Sequence, residues 1–372
     1  MLLIPGPVEV PRRVLNASAK IDNHRSHEFK EIVKEAADYM NKFADSTSTC
    51  ITTGSGTLAV ESMIYSFTRK GDAVLGISFG EFGDRLLESL QRKGVKVVPL
   101  KKSKGDRLTL DELKGVLDSH KELKSAFFVH NETGNGTSIH NLEELAKFCK
   151  ASGLKVYVDA VSSFGAVPIY VNKWGIDAMA TCSQKGIASV PGLGIVCLGK
   201  DQSENLSVDP DIPKYLDIGI SMSFMKKNET PYTPATGAFR ALREALQILD
   251  QEGLETRWKR HSWNANFLRE NLKEQGFEVY GNGGNYSDTV IAFYPKMEPV
   301  KVIKSLEEKN IIISKGMGEL SNEIVRVGNL GIVSGNEIMR FLNAFFQISG
   351  SKRHVKQTEL DKISQIDREL LA

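Results

Sequence analysis

Three short stretches of the chain carry the residue types that a reaction centre would need. Gly54-Ser55-Gly56-Thr57 falls between a β-rich run and a segment, 58–67, whose apolar residues recur at helical spacing. A glycine turn at such a junction presents free backbone N–H groups at the positive end of a helix, and the Ser and Thr hydroxyls add donors, so it suits a phosphate. With Ala59 the same turn also fits the G-x-G-x-x-A pattern of dinucleotide folds, which expects an acidic residue at the end of the next strand. That strand, AVLGIS, runs into Ser78 and Phe79, and Asp72 lies before it. A turn that binds nothing is the third reading.

Asp159 closes the apolar run VYV, at the strand end where open parallel sheets place their ligands. A carboxylate there could keep a pyridine nitrogen protonated, and the alternative is a plain helix cap. Lys185 stands in TCSQKG, after another apolar strand and before the glycine-rich turn GIASVPGLG. Most lysines are solvated surface groups, but a strand-end loop can present an amine with the lowered pKa that covalent catalysis requires.

The elements around these stretches alternate β-rich runs with amphipathic segments, the pattern of a mostly parallel sheet covered by helices on both faces. Seven runs read as strands: 50–53, 73–78, 96–100, 125–130, 156–160, 178–183 and 194–199. Residues 141–150 read as a helix, and 237–276 as a long helical connection. A smaller α+β unit follows, with strands at 289–294, 311–315 and 324–328 and helices near 298–309 and 335–348. The expected fold is therefore α/β: a large domain with a mostly parallel seven-stranded sheet over 21–250 and a small C-terminal α+β domain over 251–350. An N-terminal segment, 1–20, precedes them. A charged tail, 351–372, follows as a peripheral helix or partly ordered end.

Composition narrows the function classes. The 48 basic and 46 acidic residues leave a net charge of +2 with no large block of either sign, which argues against a nucleic-acid partner. No apolar run approaches the roughly 20 residues that cross a bilayer. The start, MLLIPGPVEVP, lacks the pattern of a secretory signal, so a cytoplasmic chain is expected. Cys50, Cys149, Cys182 and Cys197 are far apart, the histidines fall in no metal-binding frame, and no metal site is expected.

PGPVEVP, GSGT, HNETGNGT, VYVDAVSS, TCSQKG and VRVGNLG occur in an order and spacing that resembles the class V pyridoxal-phosphate aminotransferases, over about 3–331. The likeness is greatest to the serine–pyruvate and alanine–glyoxylate branch. The resemblance implies a fold-type I homodimer with active sites at the subunit interface and pyridoxal 5'-phosphate as cofactor. It makes Lys185 the amine that forms the Schiff base and moves the proton, and Asp159 the partner of the pyridine nitrogen. It places Ser55, Gly56 and Thr57 on the phosphate, Gln184 beside the lysine, Thr133 near the ring hydroxyl and Phe82 against the ring face. Thr233 would reach the phosphate of the neighbouring subunit. Arg326 would clamp the substrate carboxylate in a bidentate pair. Gly6, in the Pro5-Gly6-Pro7 turn, would line the substrate pocket, with a rigid chain-entry turn as the alternative. His24 and Arg25 are open between pocket and surface. Relatives often carry Trp for Phe82, His for Thr57, Ser-Thr for Gly134-Asn135 and, in some, Tyr for Thr230.

The reaction so implied is a two-step transfer of an amino group from a small amino acid, alanine or serine, to a 2-oxo acid, glyoxylate or pyruvate. A desulfurase of the same fold needs a late nucleophilic cysteine, and none follows Cys197. A 2-aminoethylphosphonate–pyruvate transaminase or a lyase would share every cofactor residue. A nicotinamide-dependent dehydrogenase would use the GSGT turn but has no role for Lys185.

Overall fold

The computed structural model describes residues 1–102 and 106–372. Strands β1 (Ser48–Thr53), β2 (Ala73–Ser78), β3 (Lys96–Lys101) and β4 (Leu123–Val129) come first. A short hairpin of β5 (Asn131–Glu132) and β6 (Thr137–Ser138) follows, then β7 (Lys155–Asp159), β8 (Ala178–Cys182) and β9 (Leu193–Leu198). Seven of these form one sheet in the order β1-β9-β8-β7-β4-β2-β3. Every pairing from β3 to β8 is parallel, and β9 runs antiparallel to both β8 and β1.

Burial explains the composition of these strands. β2, β8 and β9 are buried along their whole length, because helices cover both faces of a parallel sheet. β3 is an edge strand, where Lys96, Pro99 and Lys101 are open to solvent and Pro99, which has no N–H to donate, does no harm. Because β1, β4, β7 and β8 all point the same way, their C-terminal ends share one rim of the sheet. That rim receives Gly54–Thr57, His130–Thr133, Asp159 and the Lys185 loop together.

The second sheet is antiparallel, ordered β10-β12-β11, from β10 (Val290–Phe293), β11 (Ser314–Lys315) and β12 (Val325–Gly328). The strand expected over 311–315 is only two residues long, since Ile312 pairs instead with the N-terminal segment, its carbonyl accepting from Leu3 N–H at 2.8 Å. Leu3 thereby joins the core of this sheet and the helices Leu254–Glu274, Pro299–Glu307 and Gly335–Ile348. A larger core, running from Val14 to Leu249, surrounds the seven-stranded sheet.

The single helical connection expected over 237–276 is two helices, Thr236–Glu252 and Leu254–Glu274. Gly253, at φ 81°, breaks them apart in a conformation that glycine adopts without strain. The tail forms no α-helix. It lies against the body as three short 3₁₀ turns, with Val355 and Ser364 buried and Val355 N–H donating to Asn343 Oδ1 at 2.7 Å. Its charged residues have too few apolar neighbours to give a helix a buried face, and the side chains of the last domain helix hold it instead.

Candidate active site

β8 ends at Cys182 and the chain folds into a tight loop. Ser183 Oγ donates to Val190 O at 2.7 Å, Ser189 N–H to Ser183 O at 2.9 Å and Ala188 N–H to Lys185 O at 2.8 Å. This loop carries Lys185 inward, where it is 9% exposed and, among the described residues, its Nζ forms no hydrogen bond or ion pair. Burial lowers its pKa below the ordinary lysine value of 10.5. Cys182, Asp159 and Glu132 pull the other way, and the Arg326 charge adds to the lowering. Nζ lies 6.0 Å from the centre of the Phe82 ring.

Gly6 packs on the lysine chain from the N-terminal side. A Cβ at Gly6 would stand 2.9 Å from Lys185 Cε, and the residue's φ of 134° itself favours glycine. The neighbouring Val8 N–H donates to Gln184 O at 3.1 Å, while among the described residues Gln184 Oε1 is buried without a partner.

Asp159 ends β7 and is buried, its Oδ1 accepting from Val161 N–H at 2.8 Å. Burial pushes its carboxyl up from 3.8 to about 6, against the pull of that hydrogen bond and of Lys185. The aspartate does make the cap-like local contact, but its burial beside a lysine is what a cap does not need. Val161 also touches the phosphate-type turn: a Cβ on Gly56 would meet Val161 Cγ2 at 2.9 Å and Cys182 Cβ at 3.3 Å. Ser55 caps the helix Gly56–Phe67 by accepting from Leu58 N–H at 3.4 Å, and Thr57 beside it is exposed. The first N–H groups of this helix have no partner within it and are free to take an anion.

The helix Glu81–Arg92 presents Phe82, and a residue absent from the sequence reading anchors it. Glu132 is 1% exposed, and its carboxylate accepts from Phe82 N–H at 3.1 Å, Gly83 N–H at 3.1 Å and Gly134 N–H at 2.8 Å. A carboxylate at a helix N-terminus is favoured by the dipole and by these three donors, although burial dominates and raises its pKa. The signal in the sequence was an acidic residue two positions after the apolar strand SAFFVH, in a segment with no other carboxylate, lysine or arginine.

Arg326, on β12, brings the small sheet to the same place. Its Nε donates to Lys315 O at 2.7 Å and its Nη1 to Thr133 O at 2.8 Å. A guanidinium has five N–H donors, so the end formed by Nη2 and the second Nη1 hydrogen is left for a carboxylate. Burial lowers its pKa to about 10, with Glu132 opposing. Thr133 enters this geometry through its carbonyl, and its side chain is buried.

Thr233 lies apart from this cluster. It is exposed, in a loop with Thr230, Pro231 and Tyr232 that lines a small cavity with Thr53 and Tyr215. Arg25 is held to that loop, donating from Nη1 to Glu229 Oε2 at 2.8 Å and to Thr230 O at 3.1 Å, and His24 is half-buried nearby in sequence. A larger cavity, about 440 Å³, lies between Met1–Leu3, Arg340 and the Gln365–Ala372 end and includes none of these residues.

The family described as Aminotransferase class-V matches residues 12–328. A Synechococcus protein named as the small subunit of a soluble hydrogenase is 34% identical over 352 residues, covering 92% of this chain and 91% of that protein. The serine–glyoxylate aminotransferase of Methylorubrum extorquens is 29% identical over 346 residues, covering 89% and 86%. The crystal structure of an alanine–glyoxylate aminotransferase from Nostoc sp. superposes with a TM-score of 0.86 at 29% identity, covering 93% of this chain and 94% of that one. The three proteins' names differ in activity, and a shared fold does not by itself choose between activities.

Proposed function

The chain belongs to the class-V aminotransferases, and from that premise we propose that it binds pyridoxal 5'-phosphate around Lys185. There it moves the amino group of a small neutral amino acid, alanine or serine, to a 2-oxo acid, glyoxylate or pyruvate. One observation carries this reading: a buried lysine with no hydrogen-bond partner among the described residues, flanked by a buried carboxyl, an aromatic face and a half-committed arginine. The donor set fits the cofactor at each of its groups. The helix N-terminus at Ser55, Gly56 and Thr57 suits a phosphate, Asp159 suits a protonated ring nitrogen, and Phe82 offers a flat apolar surface. Buried Thr133 and Gln184 Oε1, which has no partner among the described residues, are the further polar groups offered to the cofactor in this reading.

When bound, the cofactor supplies an electron-withdrawing ring that makes the substrate Cα–H acidic. Lys185 takes and returns the proton at Cα, and its burial keeps a larger fraction of the amine neutral than an exposed lysine has. Asp159 holds the proton on the ring nitrogen; a cationic partner brings its raised pKa back down and keeps it ionised. Arg326 orients the amino acid by its carboxylate through the free end of the guanidinium, and Gly6 leaves room for the lysine chain to move. The choice of small substrates is supported by the serine–glyoxylate and alanine–glyoxylate names of the relatives. Exposure of Thr233 supports a homodimer in which Thr233 of the partner subunit completes the phosphate site. Among the described residues no helix is long and apolar enough to cross a membrane, which accords with a cytoplasmic enzyme.

The test is the visible absorbance of protein loaded with pyridoxal phosphate, with Lys185→Ala beside it. The expected result is a yellow band that bleaches with L-alanine or L-serine, returns with glyoxylate and is absent in its normal form from the variant. Protein that takes up no cofactor would refute the whole reading. A band that bleaches only with 2-aminoethylphosphonate would refute the substrate class and leave the cofactor site standing.

A further inference from the structure

The proposed reaction uses no residue of the helix Leu254–Glu274, yet that helix buries two arginines behind the Lys185 loop. Arg257 and Arg260 are both 0% exposed and share one carboxylate, that of Glu252. Arg257 Nε donates to Glu252 Oε2 at 2.6 Å, and Arg260 donates to Glu252 Oε1 from Nε at 2.8 Å and from Nη2 at 2.7 Å. Other donors of the pair go to backbone carbonyls. Arg257 Nη1 donates to Gly186 O at 3.0 Å, the carbonyl of the residue after Lys185. Arg260 donates to Gly331 O at 2.9 Å and to Val333 O, in the segment that follows Arg326 on its strand. The two backbone segments also touch: a Cβ on Gly331 would stand 2.8 Å from Ala188 Cβ and 3.5 Å from Lys185 O.

We propose that Arg257 is a positioning residue for Lys185, and that Glu252, Arg257 and Arg260 together fix the Lys185 loop against the segment that leads from Arg326. This rests on Lys185 being the reactive amine. The chemistry of the cluster supports it. Two guanidiniums and one carboxylate leave a buried net positive charge, which packing alone would not select, because apolar residues of similar volume fill such a space at no loss. What apolar residues cannot do is hold carbonyls. Only a planar fork reaches Glu252 with Nε and Gly186 O with Nη1 at once; a lysine ammonium is a single point. Among the described residues Arg257 Nη2 is buried with no partner, so this side chain is held where one of its own donors stays unsatisfied.

The experiment compares Arg257→Lys with wild type and with Arg269→Lys. Arg269 is a buried arginine on the same helix that bonds Ser287 O, Asp288 and Asn266 and does not touch the Lys185 loop. In the cofactor-free protein, the pH dependence of Lys185 labelling by trinitrobenzenesulfonate is read by peptide mapping. The groups whose charge acts on Lys185 (Cys182, Asp159, Arg326 and Glu132) are unchanged in both variants. Arg257→Lys is expected to loosen the loop and move the Lys185 titration up toward that of an exposed lysine. In the loaded enzyme kcat should fall by roughly 10- to 100-fold, the cost of a displacement of about 1 Å. KM for L-alanine should stay within about twofold, since substrate binding through Arg326 is untouched. Arg269→Lys is expected to lower the melting temperature and leave the titration in place.

An unchanged Lys185 titration in Arg257→Lys, or an equal shift in Arg269→Lys, would overturn the proposal. Should Arg257→Lys not fold, Glu252→Gln releases the same fork and is expected to shift the titration the same way; no shift there overturns it too. Labelling is independent of turnover, so a wild type without transaminase activity would refute the proposed function and still leave the tether to be decided.

Discussion

Replacing Asp159 by Asn should stabilise the cofactor-free protein and cripple the enzyme. Burial raises the Asp159 carboxyl from 3.8 to about 6. Below the unfolded value both states are protonated and the group is neutral in its effect. As pH rises from there, the unfolded chain ionises while the folded one resists, so stability is lost progressively until the folded carboxyl also ionises near 6. The difference between about 6 and 3.8 converts to about 3 kcal/mol of penalty above that pH. Asparagine carries no such penalty, and its Oδ1 can keep the 2.8 Å bond from Val161 N–H. At about 2 °C per kcal/mol for a chain of this size, cofactor-free Asp159→Asn should melt on the order of 5 °C above wild type at about pH 8, with the gap closing toward about pH 4. Adding pyridoxal phosphate should reverse the order, because the ionised aspartate then meets a cationic ring nitrogen, and kcat of the variant should be lower by at least about tenfold. The assay is calorimetric melting at fixed protein concentration, with and without cofactor, across that pH range. A gap that does not change with pH, or a wild type that is the more stable without cofactor at the upper pH, would refute the assignment of a buried, destabilising carboxyl.

Arg326→Lys should lower kcat/KM for L-alanine by roughly 10- to 100-fold, because an ammonium cannot hold Thr133 O and Lys315 O and still offer two donors to a substrate. Retention of activity within a few-fold in steady-state kinetics would count against the clamp. Gly6→Ala places a methyl 2.9 Å from Lys185 Cε at a φ of 134°, so it should weaken cofactor loading in a spectrophotometric titration. Its melting temperature should also drop, by the equivalent of about 1–3 kcal/mol of backbone strain. Unaltered loading would show that the lysine does not use that space. Glu132→Gln keeps the shape but turns an NH2 donor toward the Phe82 and Gly83 N–H groups where Oε2 now accepts, and the donors so left unsatisfied should cost both cofactor affinity and about 1–3 kcal/mol of stability. Cofactor titration and melting at one pH measure both, and a variant indistinguishable from wild type would remove Glu132 from the site.

Local pattern carried a great deal. Each of the seven strands of the large sheet sits within two residues of its expected place, since continuous apolar runs bounded by turn residues are a property of a few neighbouring positions. The same locality made Asp159 and Lys185 recognisable as strand-end residues and GSGT as a helix-leading turn. It was weakest where a partner from elsewhere in the chain decides the outcome. Residues 311–313 have the composition of a strand, but the N-terminus pairs there and the sheet is shorter than the pattern. The helical stretch 237–276 has helix formers throughout, and one glycine at positive φ divides it.

The sequence by itself determined the alternation of elements, the residue types at the rim and the family they resemble, because these depend on periodicity and short motifs. Only the tertiary structure decided which charges face one another. Glu132 beneath the Phe82 helix, Arg326 already committed to Thr133 O, and Arg257 reaching the carbonyl beside Lys185 join segments from 50 to 193 residues apart. Strand order and burial bring such segments together, and no window along the chain contains both partners.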